Sequence, residues 1–295
     1  MLTLFKTSLR TFNQLLRRQI VRLKPLLPLT EAQWSKLDLL KALVQRDLEA
    51  RYKGSILGNL WALVRQLAQL LIYTYVFSVV LQVKLSDRGL SDVDTNVTFG
   101  LWLFAGLLPW LTFSSGLSLA SRVVLQQKNL VTKIIFPLEL LPLVPVLSSF
   151  LESTFGLLIL ILFSTILSQT LHSTLLLLPL VWLPQLLLTI GLAYLAAALT
   201  VFIRDIPQIL GIVLNLWFYA TPIFYPLELV PEPIRTLVSW LNPLTAIVAV
   251  HRDVVLFGAV SQWQPWLVST GLSVAIFLLG YWTYQKLRTA FPDVL

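Results

Sequence analysis

Glu152 and Glu139 are carboxylates within or beside one of the longest apolar stretches of this 295-residue chain. An ionisable group at membrane depth is expensive and marks a functional site by default. Glu152 reads either as a working charge or as a protonated or ion-paired group that holds helices together. Glu139, nearer the end of its stretch, favours the structural reading. Arg204-Asp205 reads as an interfacial anchor pair rather than a proton relay. Further catalytic equipment is thin. Without cysteine, disulfides, iron–sulfur clusters and thiolate metal sites are excluded. His172 and His251 are the only imidazoles, too few for a His-built metal centre. No G-x-x-x-x-G-K-[ST] phosphate loop is present. The chain should therefore hold no cofactor of its own, and any ATP and Mg would be bound by a separate subunit. A membrane enzyme would need acids or nucleophiles clustered at one depth, and these are missing.

Aromatic residues are the other conspicuous class, with ten Trp, eight Tyr and 16 Phe. Trp102, Trp110, Phe113, Trp217, Tyr219, Phe224 and Tyr225 fall in clusters. Rings at the membrane–water boundary form belts. Rings along a conduit could instead stack on sugar C–H surfaces while their O–H and N–H groups hydrogen-bond. Both readings stand at this level.

The elements that must position these residues follow from hydropathy. Hydrophobic residues make up 57% and charged residues 12% of the chain, against about 25% charged in soluble domains. A helix needs ~20 apolar residues to cross a ~30 Å hydrocarbon core, and the core has no water for unpaired backbone groups. Spans are expected at 60–82, 99–121, 146–168, 175–203, 208–221 and 264–285. Pro137, Pro142 and Pro145 should break the third span's approach and leave 137–145 kinked. Residues 223–263 hold apolar pieces too short to span, which could dip into the membrane as re-entrant helices.

Before the spans, residues 1–30 are basic. Residues 31–58 form an amphipathic interface segment, helical over 31–53. Thr30-Glu31-Ala32-Gln33 is a capping box, Trp34, Leu37, Leu40, Val44 and Leu48 share one face, and Asp47/Arg51 and Glu49/Lys53 are i,i+4 ion pairs. Gly54 should stop the helix. The fold class is thus all-α integral membrane, with six transmembrane helices in a domain over 59–286 and a cytoplasmic tail at 287–295.

Charge sets the orientation. The net charge is +8, but its distribution argues against nucleic acid as a partner. Half of the Lys and Arg precede Trp61. Arg122, Lys128 and Lys133 fall between spans two and three, Arg204 between four and five, and Lys286 and Arg288 after span six. Outside the spans, the opposite side holds only Lys84, Arg88, Arg235 and Arg252. By the positive-inside rule both termini are cytoplasmic, in a plasma membrane.

Arg46-Asp47-Leu48-Glu49-Ala50-Arg51-Tyr52-Lys53-Gly54-Ser55-Ile56-Leu57-Gly58 with Trp61 resembles the opening signature of bacterial polysaccharide-export permeases of the ABC-2 type. The resemblance continues through Asn129-Leu130-Val131-Thr132-Lys133, Phe136-Pro137, Leu141-Pro142, Arg204-Asp205, Trp217-Phe218-Tyr219-Ala220-Thr221-Pro222, Asn242-Pro243 and His251-Arg252, covering about 40–285. It implies a gate helix that includes Arg46, Asp47, Arg51 and Tyr52, and a pair of re-entrant helices at the external mouth within 223–250. It implies a coupling segment within 122–136 (Arg122, Lys128, Asn129 and Lys133) that docks on an ATP-binding subunit. It implies a homodimeric permease served by two ATPase chains, with a lipid-linked glycan passing between the permeases of an inner membrane. An ABC-2 permease for a drug or lipid, a membrane-embedded glycosyltransferase and a non-catalytic scaffold are the rival readings.

Overall fold

A computed structural model describes residues 30–58, 60–82, 99–132 and 136–295. The basic N-terminal segment, the 83–98 loop and Lys133 lie outside them. Among the described residues every regular element is a helix. Helix α1 spans Glu31–Arg51 and opens with the expected capping box, Thr30 N donating to Gln33 Oε1 at 2.9 Å and Gln33 N to Thr30 Oγ1 at 3.4 Å. Arg51 reaches Asp47 at 3.0 Å. The second expected pair differs: Glu49 accepts from Gln45 Nε2 at 2.9 Å, because the helix ends before Lys53. Gly54 at φ +81° turns the chain where an L side chain would be strained.

From Val44 onward the chain is one compact unit. Helix α2 runs Leu60–Val80, its last two turns wound as a π-helix from Thr74. Helix α3 spans Phe99–Gln126, α4 Lys128–Thr132, α5 Leu140–Ser168, α6 Leu178–Phe202 and α7 Ile206–Ala220. Two short helices follow, α8 Ile234–Leu241 and α9 Pro243–Arg252, then α10 Trp263–Leu287 and the final turn α11 Phe291–Val294. Among the described residues, five helical stretches are long and apolar enough to cross a membrane. The fifth expected span, α7, has 15 residues, or ~22 Å at 1.5 Å per residue, shorter than the hydrocarbon core.

The third span also departs from expectation. Helix α5 is continuous from Leu140, six residues before the expected start. Pro142 falls in its first turn, where an N–H has no intrahelical acceptor anyway, and only Pro145 interrupts the ladder. Within 287–295, expected as a cytoplasmic tail, Phe291 is fully buried and packs on Tyr284 and Phe202.

Helix α3 is the central post. Its apolar core is 72% buried within the chain, against 11% for α2 and 17% for α10. It packs on α5, α6 and α9. Helices α6 and α10 cross closely at Gly191 and Gly280, where a Cβ on either would run into the other's backbone. Small residues at such crossings let membrane helices approach without any hydrophobic drive between them. Gly280→Leu should therefore lower the unfolding temperature of the detergent-solubilised protein sharply. Overpacking of this kind costs ~1–3 kcal/mol or more. Gly271→Ala on the same helix, which meets nothing within 4 Å, should leave it unchanged. Size-exclusion chromatography after a heat ramp reads both.

Candidate functional site: a charged latch, an aromatic seam and an arginine clamp

Three constellations use the residues singled out in the sequence. The first is built around Glu152, near the middle of α5 and 6% exposed. Arg51, at the end of α1, donates from Nη1 to Glu152 Oε2 at 3.0 Å while its Nε holds Asp47. Its Nη2 lies 3.5 Å from the Pro145 carbonyl. Tyr52 donates to Glu152 Oε1, and Arg65, from the second turn of α2, pairs with the same oxygen. The turn at Gly54 brings this about by folding α2 back, so that two arginines and a phenol from adjoining elements meet one carboxylate. Of the expected gate residues, Arg51, Tyr52 and Asp47 are brought together here, whereas Arg46 is exposed and outside the cluster. Arg65 falls inside the first expected span, in the second turn of α2. No local pattern points it at a residue 87 positions away.

The second constellation is a seam of rings. Phe99 packs on Trp102 and Phe77, Phe77 on Phe224, Phe224 on Phe218, and Phe218 on Trp110. Trp217 closes it, edge-on to Phe113 at 5.3 Å and to Trp110 at 6.5 Å. The seam joins α2, α3, α7 and the loop after α7. Trp102, Trp110 and Phe113 are buried within the chain, Trp217, Phe224 and Tyr225 are half-buried, and Tyr219 is 66% exposed. Trp217 Nε1 donates to Asn242 Oδ1 at 2.9 Å, which also accepts from Leu244 N and so caps α9. Asn242 Nδ2 donates to Thr221 Oγ1 at 3.0 Å. The end of α7 is thereby tied to the α8–α9 turn.

The third is a clamp from α9 onto α3. Sequence counted Arg252 as an external loop charge, yet it is 6% exposed. Its guanidinium donates to the carbonyls of Trp102 (3.1 Å), Pro222 (3.0 Å) and Ile223 (2.7 Å). It also lies 3.5 Å from the centroid of the Trp102 ring, a cation–π contact. Gly106 leaves the space the guanidinium fills. Next to it, His251 Nδ1 is 2.9 Å from the Ala105 carbonyl. Ala105 is four residues before Pro109, whose missing N–H would otherwise have bonded that carbonyl. The histidine replaces the lost donor, which fixes Nδ1 as the protonated nitrogen.

At the opposite end of α3, Glu139 accepts from Arg288 Nη1 at 2.8 Å. Tyr194 and Tyr284 donate to the carbonyls of Glu139 (2.9 Å) and Leu138 (2.8 Å). The segment after α4 is thus fastened to α6 and α10. Arg122, Lys128 and Asn129, from the expected coupling segment, are exposed at the end of α3 and on α4. Arg204 and Asp205 are exposed in the turn between α6 and α7.

The model of the ABC-2 type transporter family matches residues 38–256. The chain belongs to this family. It is similar to the O-antigen export system permease protein RfbA of Myxococcus xanthus, 30% identical over 86% of this chain and 94% of the relative. Two proteins of the same name from Klebsiella pneumoniae are 26% and 27% identical, each over 88% of this chain and 95% of its own length. The latch, seam and clamp all lie within the segment the ABC-2 model matches. The protein is a multi-pass membrane permease of that family.

The latch has a measurable consequence. Removing one partner of a buried ion pair costs about 3–5 kcal/mol, because the other charge stays buried. Glu152→Gln leaves Arg51 and Arg65 facing a neutral amide and should lower thermal stability. Arg51→Gln should add little further loss in the double variant. A double-mutant cycle on unfolding temperature isolates the coupling; additive losses would mean that the two side chains act separately.

Proposed function

We propose that the chain is the permease subunit of an exporter that carries a lipid-linked polysaccharide from the cytoplasmic side across the bacterial inner membrane, driven by ATP hydrolysis on a separate subunit. The observation that carries this reading is the similarity, over nearly the whole chain, to proteins named as O-antigen export permeases. Two permease copies and two ATPase chains form the working unit. Apolar side chains exposed on α2 and α7, including Leu71, Ile72, Tyr75, Ile212 and Leu216, offer faces to lipid and to the second copy. The conduit runs between the copies, with Tyr219 at the open end of the aromatic seam.

In this reading α4 and the end of α3 dock on the ATPase, and α1 is the gate helix. A displacement of α4 reaches α6 and α10 through Glu139, Tyr194, Tyr284 and Arg288, and reaches α5, which begins at Leu140. Helix α5 carries Glu152, so the same movement alters the latch that holds Arg51 and Tyr52. ATP acts by binding one arrangement more tightly than the other. At the far end, α8 and α9 are the re-entrant pair, with α9 anchored by its clamp on α3.

The deciding experiment is mass spectrometry of lipid-linked glycans in inner membranes of a strain lacking the chain, alongside its surface glycan. Glycan should accumulate inside and disappear from the surface. An intact surface without accumulation would overturn polysaccharide export in favour of a drug or lipid cargo. Separately, Arg122→Glu with Lys128→Glu should reduce co-purification of the ATPase several-fold without changing the amount of permease in the membrane. Unchanged co-purification would remove this surface as the dock.

A further inference from the structure

The aromatic seam accounts for Trp102, Trp110 and Trp217 but not for Trp240 and Trp263, which are 40% and 54% exposed. Both line a separate cleft of about 450 Å³ between α8, the loop before it and the start of α10. The volume is in the ~300–1,000 Å³ range of small-molecule sites. Around the two indoles are Glu228, Glu232, Gln262 and Gln264. We infer that this cleft is a sugar-binding subsite that holds the glycan as it leaves the permease, an inference that rests on the polysaccharide-export reading above.

Four observations on the cleft point to a sugar. The first is the mixture of ring faces with planar amides and carboxylates. An exposed indole offers an apolar face and one N–H, matching the C–H face and rim hydroxyls of a pyranose. A carboxylate only accepts, and an amide both donates and accepts, which suits vicinal hydroxyl groups.

The second is pre-organisation. Glu232 accepts from Thr236 Oγ1 at 2.9 Å and lies 3.4 Å from Arg235 Nη1. Arg235 is itself held by the carbonyls of Val230 (2.9 Å) and Glu228 (2.7 Å). On the other wall, Asp253 Oδ2 accepts from Ser261 N at 2.8 Å and Ser261 Oγ at 2.6 Å, fixing the strand of chain that leads into Gln262 and Trp263. Polar groups held before the ligand arrives reduce the ordering cost of binding.

The third is charge. The lining has two acids and one arginine, and that arginine is already engaged, so a lipid phosphate would meet net negative charge. The fourth is the two-faced character of α8. Ile234, Leu237 and Leu241 are exposed apolar residues away from the cleft, while Arg235, Thr236, Ser239 and Trp240 line it. Export also requires that binding be weak enough to release the chain, so the affinity should be on the order of millimolar.

The test uses the full-length chain in lipid nanodiscs and saturation-transfer difference NMR. The probe is the oligosaccharide released by mild acid from the host's own surface glycan, with a dextran oligosaccharide for comparison. Saturation should pass to ring C–H protons of the host oligosaccharide. It should fall several-fold in the Trp240→Ala/Trp263→Ala variant, and by less in the gentler Glu232→Gln variant. It should persist in Trp282→Ala, whose ring is 61% exposed near the other end of α10. No transfer to the wild-type chain, or equal transfer in the double variant with an unaltered elution profile, would overturn the subsite. In cells, reduced surface glycan in the double variant would assign the exported chain as occupant. Surface glycan unchanged in rate and length would overturn that assignment and leave a free external oligosaccharide as the ligand. The deletion strain described above tests export itself, so the two readings can fail independently.

Discussion

A hydrocarbon core has no water to satisfy a polar group that the protein leaves unpaired, and α3 opens such a gap in the middle of the molecule. Pro109 removes the N–H that would have bonded the Ala105 carbonyl, and His251 supplies the replacement donor from α9. The Pro109 carbonyl in turn accepts from Gln185 Nε2 of α6 at 2.8 Å. A defect in one helix therefore becomes the place where two other elements are joined to it. Arg252 belongs to the same arrangement. Among the described residues no carboxylate lies within ion-pair distance of it, and three backbone carbonyls with the face of Trp102 take that role. Oriented carbonyls and a ring quadrupole let a cation be buried without a direct ion pair.

The two ends of the bundle are braced in different ways. At the α9 end the braces are neutral or half-neutral: histidine to carbonyl, arginine to carbonyls, and the Trp217–Asn242–Thr221 chain. At the end where α4 lies, phenols and an ion pair hold the backbone of Leu138 and Glu139. Between them stands the Glu152 latch, with two arginines and one tyrosine on a single carboxylate. A buried ion pair is weak evidence for stability, because desolvation offsets much of the attraction. Its better-attested use is to specify one arrangement over another. In the exporter proposed above, which moves between arrangements, a latch of closely matched costs is more useful than an apolar contact of the same area.

Much of the fold was legible in the sequence because hydropathy and local chemistry act over short distances. The spans at 60–82, 99–121, 175–203 and 264–285 coincide with helices to within a few residues. The Thr30 capping box, the Asp47–Arg51 pair and the turn at Gly54 need no tertiary partner to be read. The start of α5 was misplaced for a related reason. A proline was weighed as a breaker, whereas its cost depends on whether its missing N–H would have had an acceptor, which in the first turn it would not.

By itself the sequence determined an all-helical membrane protein, the order of its spans, and the short apolar pieces between α7 and α10. A ~30 Å apolar layer imposes these on any chain of such composition. It also determined, through the order of its motifs, the ABC-2 family. Only the tertiary structure decided which polar residues meet. Glu152 could have been a working charge, a protonated group or an ion-paired one until Arg51, Tyr52 and Arg65 were placed beside it. Arg252 counted as a loop charge until three carbonyls from distant segments surrounded it. The packing of Phe291 against Tyr284 and Phe202 likewise joins the final residues to distant helices. Each of these depends on groups far apart in the chain, and no periodicity or spacing encodes such meetings, because they are set by how helices cross.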